Sequence, residues 1–88
     1  MKWLITGGCG FIGSNLIKNI FSNGARDIRV IDNLSIGSPD YLINSYGFRL
    51  YDRNHDIKPI SGLDIVSGEI LDQDLALKSV IGADIIVH

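Results

Sequence analysis

Residues 2–21 read KWLITGGCGFIGSNLIKNIF: a short apolar run, then Gly7, Gly10 and Gly13 at intervals of three, then apolar residues at helical spacing. Periodicity alone does not separate strand from helix in a run as short as Trp3 to Thr6, but the glycines after it cap its length, so residues 2–6 are expected to form a buried strand. From Phe11 onward, Ile12, Leu16, Ile17, Ile20 and Phe21 share one helical stripe, and Asn23-Gly24 supplies a left-handed stop. The expected element is an amphipathic helix of about three turns. Glycine weakens a helix by about 1 kcal/mol per position relative to alanine, so glycines clustered at its start imply that side chains there would obstruct something.

Outward from this stretch, DIRVID (27–32) places Ile28, Val30 and Ile31 in a second strand that ends at Asp32. Residues 33–63 hold both prolines, Pro39 and Pro59, and the polar run YDRNHD (51–56); a short helix is expected near 39–46, followed by a variable excursion. LDIVSGEI (63–70) restores the apolar pattern with a third strand at 64–67. Asp72 is placed to cap a helix whose inner face would be Leu75, Leu77, Val80 and Ile81; Gly82 ends it, and a fourth strand follows at 84–87.

Eighty-eight residues suit one small domain, and 45% hydrophobic content describes a packed chain, not a disordered one. A net charge of -2 and a pI near 5.4 give no field that would recruit nucleic acid or an anionic membrane. One cysteine cannot form an internal disulfide, which fits a reducing cytoplasm. No apolar run approaches the ~20 residues of a membrane span, and glycine interrupts the first run before a signal-peptide core could form. The expectation is a soluble cytoplasmic protein with neither a nucleic-acid nor a membrane partner.

Strands alternating with helices imply a parallel sheet, because parallel neighbours need a crossover and crossovers are right-handed. The expected fold is α/β: a Rossmann-like sheet in the order 3-2-1-4 with flanking helices, an incomplete half of a doubly wound domain. The turn from Gly7 to Gly13 then lies at the switch point, where backbone N–H groups and the helix dipole suit a pyrophosphate and a Cβ would hold it away. The spacing G-x-x-G-x-x-G differs from the G-x-G-x-x-G fingerprint, so a glycine-rich turn without a ligand stays open at this point. Asp32 stands 19 positions after Gly13, near the ~20 expected of the acid that holds the adenosine ribose. A carboxylate there repels a 2′-phosphate and favours NAD over NADP. Alone it could equally be a strand-end aspartate; joined to the glycines it points to NAD.

TGGCGFIGSNL (6–16) followed by VIDNLSIG (30–37) resembles the extended short-chain dehydrogenase/reductases, most closely the NAD-dependent, UDP-glucose 4-epimerase-like epimerase/dehydratase family acting on nucleotide sugars. The resemblance resumes at SGEILD (67–72) and ADIIVH (83–88). It implies that Gly7, Gly10, Phe11 and Ile12 meet the pyrophosphate through the main chain, with Gly13 closing the helix onto the strand. It further implies that Asp32 holds the ribose, that Asn33 and Ser35 add polar contacts to the adenosine, and that Glu69 and Ile70 flank the adenine, with Glu69 where the family has Asp.

Such enzymes oxidise a sugar carbon transiently, using a Tyr-x-x-x-Lys pair whose lysine lowers the tyrosine pKa. Here Tyr41 is followed four positions on by Ser45, Tyr46 by Leu50 and Tyr51 by His55, so no catalytic residue is assigned. Residues 1–88 are therefore expected to be the N-terminal part of a NAD-binding domain, inactive alone. The resemblance places a nucleotide-sugar substrate and a homodimer with the longer parent protein. Two alternatives stand beside it: a reductase or dehydrogenase of a non-sugar substrate, and a NAD-sensing module without catalysis.

Other residues invite readings that the sequence does not favour. Cys9 sits near a helix N-terminus, where a thiol pKa can fall, but a small loop-filling side chain is the simpler reading. His88 is taken as structural. His55 with Asp52 and Asp56 is read as a solvated loop and not a metal site, and Arg49 and Arg53 as exposed charge. The fourth strand is expected to present an apolar edge that needs a cover.

Overall fold

The described residues form eight elements in chain order: β1 (Lys2–Thr6), α1 (Phe11–Ser22), β2 (Asp27–Asp32), α2 (Asp40–Tyr46), β3 (Arg49–Asp52), β4 (Leu63–Ser67), α3 (Gln73–Val80) and β5 (Ile85–Val87). They come from a computed structural model that describes residues 1–35, 37–52, 57–68 and 72–88. The strands form one sheet in the order β3-β4-β2-β1-β5, and every neighbouring pair is parallel. At its centre Leu4 lies opposite Arg29 of β2 on one side and Ile86 of β5 on the other, and Arg29 in turn lies opposite Asp64 of β4.

The two faces of the sheet carry separate cores, as the period of two along a strand requires. Ile5, Ile28, Val30 and Ile65 face α1 and α2, where Ile17, Ile20 and Leu42 are buried against them with Phe48. Leu4, Ile31 and Val66 point the other way, onto Leu75 of α3 and Ile60 of the connection before β4. The connections β1–α1–β2 and β4–α3–β5 thus run on opposite faces, as right-handed crossovers that traverse the sheet in opposite directions must. This is a Rossmann-like α/β sheet.

The four strands expected from the sequence keep their expected order; the correction is a fifth strand, β3, added outside β4. RLYD lies within the stretch read as a variable excursion, and three of its four residues are exposed. It has no apolar alternation of its own, so its strand form comes from pairing with β4, Arg49 opposite Asp64 to Asp52 opposite Ser67.

A second correction concerns α3. Asp72 caps it as expected, its Oδ1 accepting the Leu75 N–H at 3.2 Å. Leu77 and Ile81, however, are 67% and 52% exposed and do not join the inner face. Leu77 lies two residues beyond Leu75, about 200° around a helix of 3.6 residues per turn. The buried stripe is instead Leu75 and Ser79, four residues apart, with Val80 partly buried beside them. β5 does form an edge of the sheet, with Ile86 exposed. Among the described residues no helix is long and apolar enough to cross a membrane.

Candidate functional site

The sheet delivers two loops to one place. β1 and β2 are parallel neighbours, so the turn after Thr6 and the turn after Asp32 leave the same end of the sheet side by side. Gly7 N–H donates to Ile31 O at 2.8 Å, joining the start of one turn to the end of the other strand. Between them opens a cleft of about 430 Å³, lined by Gly7, Gly10, Phe11, Ile12, Gly13, Asp32, Asn33 and Ser35. All eight are candidates from the sequence; the remaining two, Glu69 and Ile70, lie outside the described residues.

The three spaced glycines have three different physical reasons. Gly7 has φ +70°, a left-handed backbone that side chains disfavour. At Gly13 a Cβ would stand 2.5 Å from Gly8 Cα and 2.6 Å from Gly7 O, so the first turn of α1 packs directly on the main chain of the loop. Gly10 has neither constraint: its φ is -78°, and a Cβ there would meet only Gly7 O, at 3.5 Å. Among the described residues nothing requires glycine at position 10; a Cβ there would be added where the cleft is lined.

Gly10 is also the N-cap of α1, and among the described residues no side chain caps the helix. The N–H groups of the first turn have no intrahelical acceptor, which leaves positive partial charge at the cleft. Gly10 N–H closes the turn on Gly7 O at 3.2 Å, and the Ser14 hydroxyl donates to Gly10 O at 2.7 Å, so both carbonyls are engaged within the loop and helix start. Phe11 and Ile12 are 86% and 84% exposed at the helix start, although Ile12 belongs to the apolar stripe of the sequence.

Asp32 closes the other side, with only 7% of its surface exposed. Its Oδ2 accepts the Cys9 N–H at 2.9 Å and its Oδ1 accepts the Leu34 N–H at 2.8 Å. A carboxylate has about four acceptor positions, so even with the Cys9 thiol also bonded to it there is acceptor capacity for a ligand hydroxyl. Asn33 and Ser35 are exposed beside it, and Asn33 Oδ1 accepts from both the N–H and the hydroxyl of Ser35, at 3.0 and 2.7 Å. Two features of this loop escape the sequence reading, the left-handed Leu34 at φ +62° and the seat of Gly37 against Cys9. Asn33 with a glycine four residues after it is the signal that was available.

Cys9 is buried next to Asp32, and burial first, then the aspartate's charge and hydrogen bond, push its thiol from an ordinary 9.0 up to about 12. It is a filler of the loop and not an activated nucleophile. His88, exposed at the end of β5, places Nδ1 3.0 Å from the Thr6 hydroxyl at the end of β1. His55, Asp56 and Arg53 lie outside the described residues, and Arg49 is exposed on β3.

The cleft therefore offers an open space over uncapped backbone N–H groups, with a fixed carboxylate to one side. That chemistry suits a dinucleotide: an anion at the helix start and hydroxyls at the acid. Comparison with known proteins agrees with the resemblance to extended short-chain dehydrogenase/reductases. An ADP-L-glycero-D-manno-heptose-6-epimerase of Brachyspira hyodysenteriae is 46% identical over 48 residues, which is 54% of this chain and 15% of that protein. The chain thus spans a small part of the length of that relative. Residues 4–88, which include the whole cleft and every strand but the start of β1, match the 3-beta hydroxysteroid dehydrogenase/isomerase family, and the chain belongs to that family.

Proposed function

We propose that this chain is the NAD-binding part of an epimerase/dehydratase-type enzyme acting on a nucleotide-linked sugar. The observation that carries the proposal is Gly10: no contact among the described residues demands glycine there, whereas a pyrophosphate lying over the uncapped start of α1 does. Gly7 and Gly13 shape the turn, the N–H groups near Phe11 and Ile12 bind the phosphates, and Asp32 with Asn33 and Ser35 orients the adenosine. NAD, when bound, would supply reversible hydride acceptance from a substrate carbon. The chain's own part is to hold and orient the dinucleotide. The acid–base pair and the sugar-binding residues belong, in this reading, to the rest of a cytoplasmic, homodimeric enzyme.

A second reading has its own support. The family takes its name from dehydrogenases of a hydroxysteroid, so an enzyme that oxidises a non-sugar alcohol would use the same cleft. The heptose epimerase match favours the sugar.

Calorimetric titration of the chain with NAD and with NADP tests the cofactor. NAD is expected to bind at least about tenfold tighter, because the fixed Asp32 carboxylate repels a 2′-phosphate. Equal or tighter binding of NADP would overturn the assignment to NAD, and no binding of either would overturn the dinucleotide reading itself.

A further inference from the structure

The Asp32 carboxylate spends both oxygens on the main chain of two different loops: on Cys9, 23 residues earlier in the sequence, and on Leu34, two residues later. Hydrogen bonds to an ionised acceptor are roughly twice as strong as neutral ones, and this acceptor is almost fully buried at the end of a central strand. Its own carbonyl accepts the Gly68 N–H at 3.0 Å, so the anchor is fixed to β4 as well.

Two further contacts act on the same loops. Leu34 holds a left-handed backbone that a leucine disfavours, and the bond from its N–H to Asp32 keeps it there. Gly37, at φ +84°, lays its main chain so close to the Cys9 carbonyl that a Cβ on Gly37 would collide with that oxygen. The residue at position 9 is thus gripped at its N–H by Asp32 and covered at its carbonyl by Gly37. Both walls of the cleft meet there.

We infer that Asp32 is a positioning residue for the phosphate cradle: its carboxylate staples the turn at Gly7–Gly10 to the loop at Asn33–Gly37, so the cleft is formed before any ligand arrives. The ligand side of this inference rests on the dinucleotide reading above; the staple itself does not. Preorganisation of this kind raises affinity for every ligand of the cradle, including one that never reaches the acid.

Inorganic pyrophosphate is such a ligand, and it gives the test a sign. If Asp32 served only as a contact for ribose hydroxyls, Asp32→Asn would remove a nearby negative charge and leave pyrophosphate binding unchanged or tighter. As a staple, the same change leaves one of two main-chain N–H groups facing an amide donor, loosens the cradle, and weakens pyrophosphate binding by about tenfold or more. Amide hydrogen exchange without ligand gives a second readout. In Asp32→Asn the Cys9 and Leu34 amides should lose protection by about tenfold or more, while Val66 in the sheet keeps its own. Gly37→Ala, which presses on Cys9 and leaves Asp32 in place, should weaken pyrophosphate in the same direction. Unchanged protection at Cys9 and Leu34 in Asp32→Asn, or unchanged or tighter pyrophosphate in either variant, would overturn the inference. A wild-type chain that binds neither pyrophosphate nor NAD, but whose two amides lose protection in Asp32→Asn, would sink the dinucleotide reading and uphold the staple.

Discussion

Arg29 and Asp64 face each other on adjacent strands and pair bidentately inside the protein: Nε to Oδ1 at 2.8 Å and Nη2 to Oδ2 at 3.1 Å, with side chains 3% and 6% exposed. The remaining guanidinium donors reach Ser79 O at 3.2 Å and Lys58 O at 2.7 Å, so one side chain ties β2 to β4, to the end of α3 and to the segment before β4. Two charges taken out of water are tolerated only when each is answered, and here nearly every donor and acceptor is answered.

Removing one partner leaves the other charge buried. Asp64→Asn and Arg29→Met are each expected to cost about 3–5 kcal/mol in urea unfolding, a large share of a typical domain's stability. The double variant Arg29→Met with Asp64→Leu should recover most of that loss, because an apolar pair of similar volume pays no desolvation. A double variant no better than the singles would show that the carbonyl contacts to Ser79 and Lys58 matter more than the ion pair.

Ser79 adds a counterpart. It is fully buried, its carbonyl is used by Arg29, and its hydroxyl has no hydrogen-bond partner among the described residues. An unpaired buried hydroxyl is unfavourable, and alanine is the better helix former, so Ser79→Ala should gain about 0.5–1.5 kcal/mol in the same assay. Destabilisation would mean that the hydroxyl finds an acceptor in solution.

Cys9 makes a prediction in pH. Its thiol stays protonated in the folded chain up to about 12 but ionises from 9.0 upward once unfolded. The folded pKa is the raised one, so the stability this group contributes is complete below pH 9 and is lost as the pH rises toward 12. The stability difference between the wild type and Cys9→Ala should therefore narrow between pH 8 and 10.5 in guanidinium titrations. Under native conditions at pH 8.5 iodoacetamide should label Cys9 at least about 100-fold more slowly than in the unfolded chain. Equal rates would show that the loop opens freely.

The sequence carried the backbone of this fold and most of the cleft, for reasons that are local. Strand length set by glycines, helical spacing from Phe11, the Asp72 cap and the acid 19 positions after Gly13 are all readable over a few residues. What escaped depends on partners far along the chain. β3 is a strand only because β4 lies beside it, and the exposure of Leu77 follows from where the sheet sits relative to α3. The Arg29–Asp64 pair left a trace that went unread: one cation in IRVI and one anion in LDIV, each inside a strand otherwise apolar on both faces. The two uses of the Asp32 carboxylate left none, since the Cys9 N–H is a main-chain group that any residue supplies.

Gly10 and Gly13 separate fold from function in one experiment. At Gly13 a Cβ collides with main-chain atoms at 2.5 and 2.6 Å, which cannot move aside without displacing the loop. Gly13→Ala should therefore cost about 1–3 kcal/mol and lower the melting temperature by at least about 5 °C. At Gly10 the Cβ meets only Gly7 O, at an ordinary 3.5 Å, so Gly10→Ala should stay within about 1 kcal/mol of the wild type, the small loss reflecting a poorer N-cap. Under the proposed function its effect belongs to the ligand: the methyl group would stand between the helix start and the pyrophosphate, and NAD affinity should fall at least about tenfold while the fold is kept. Paired melting curves and NAD titrations of the two variants decide the matter. If Gly10→Ala binds NAD as the wild type does, position 10 does not face the phosphates, and the single observation on which the proposed function rests is lost.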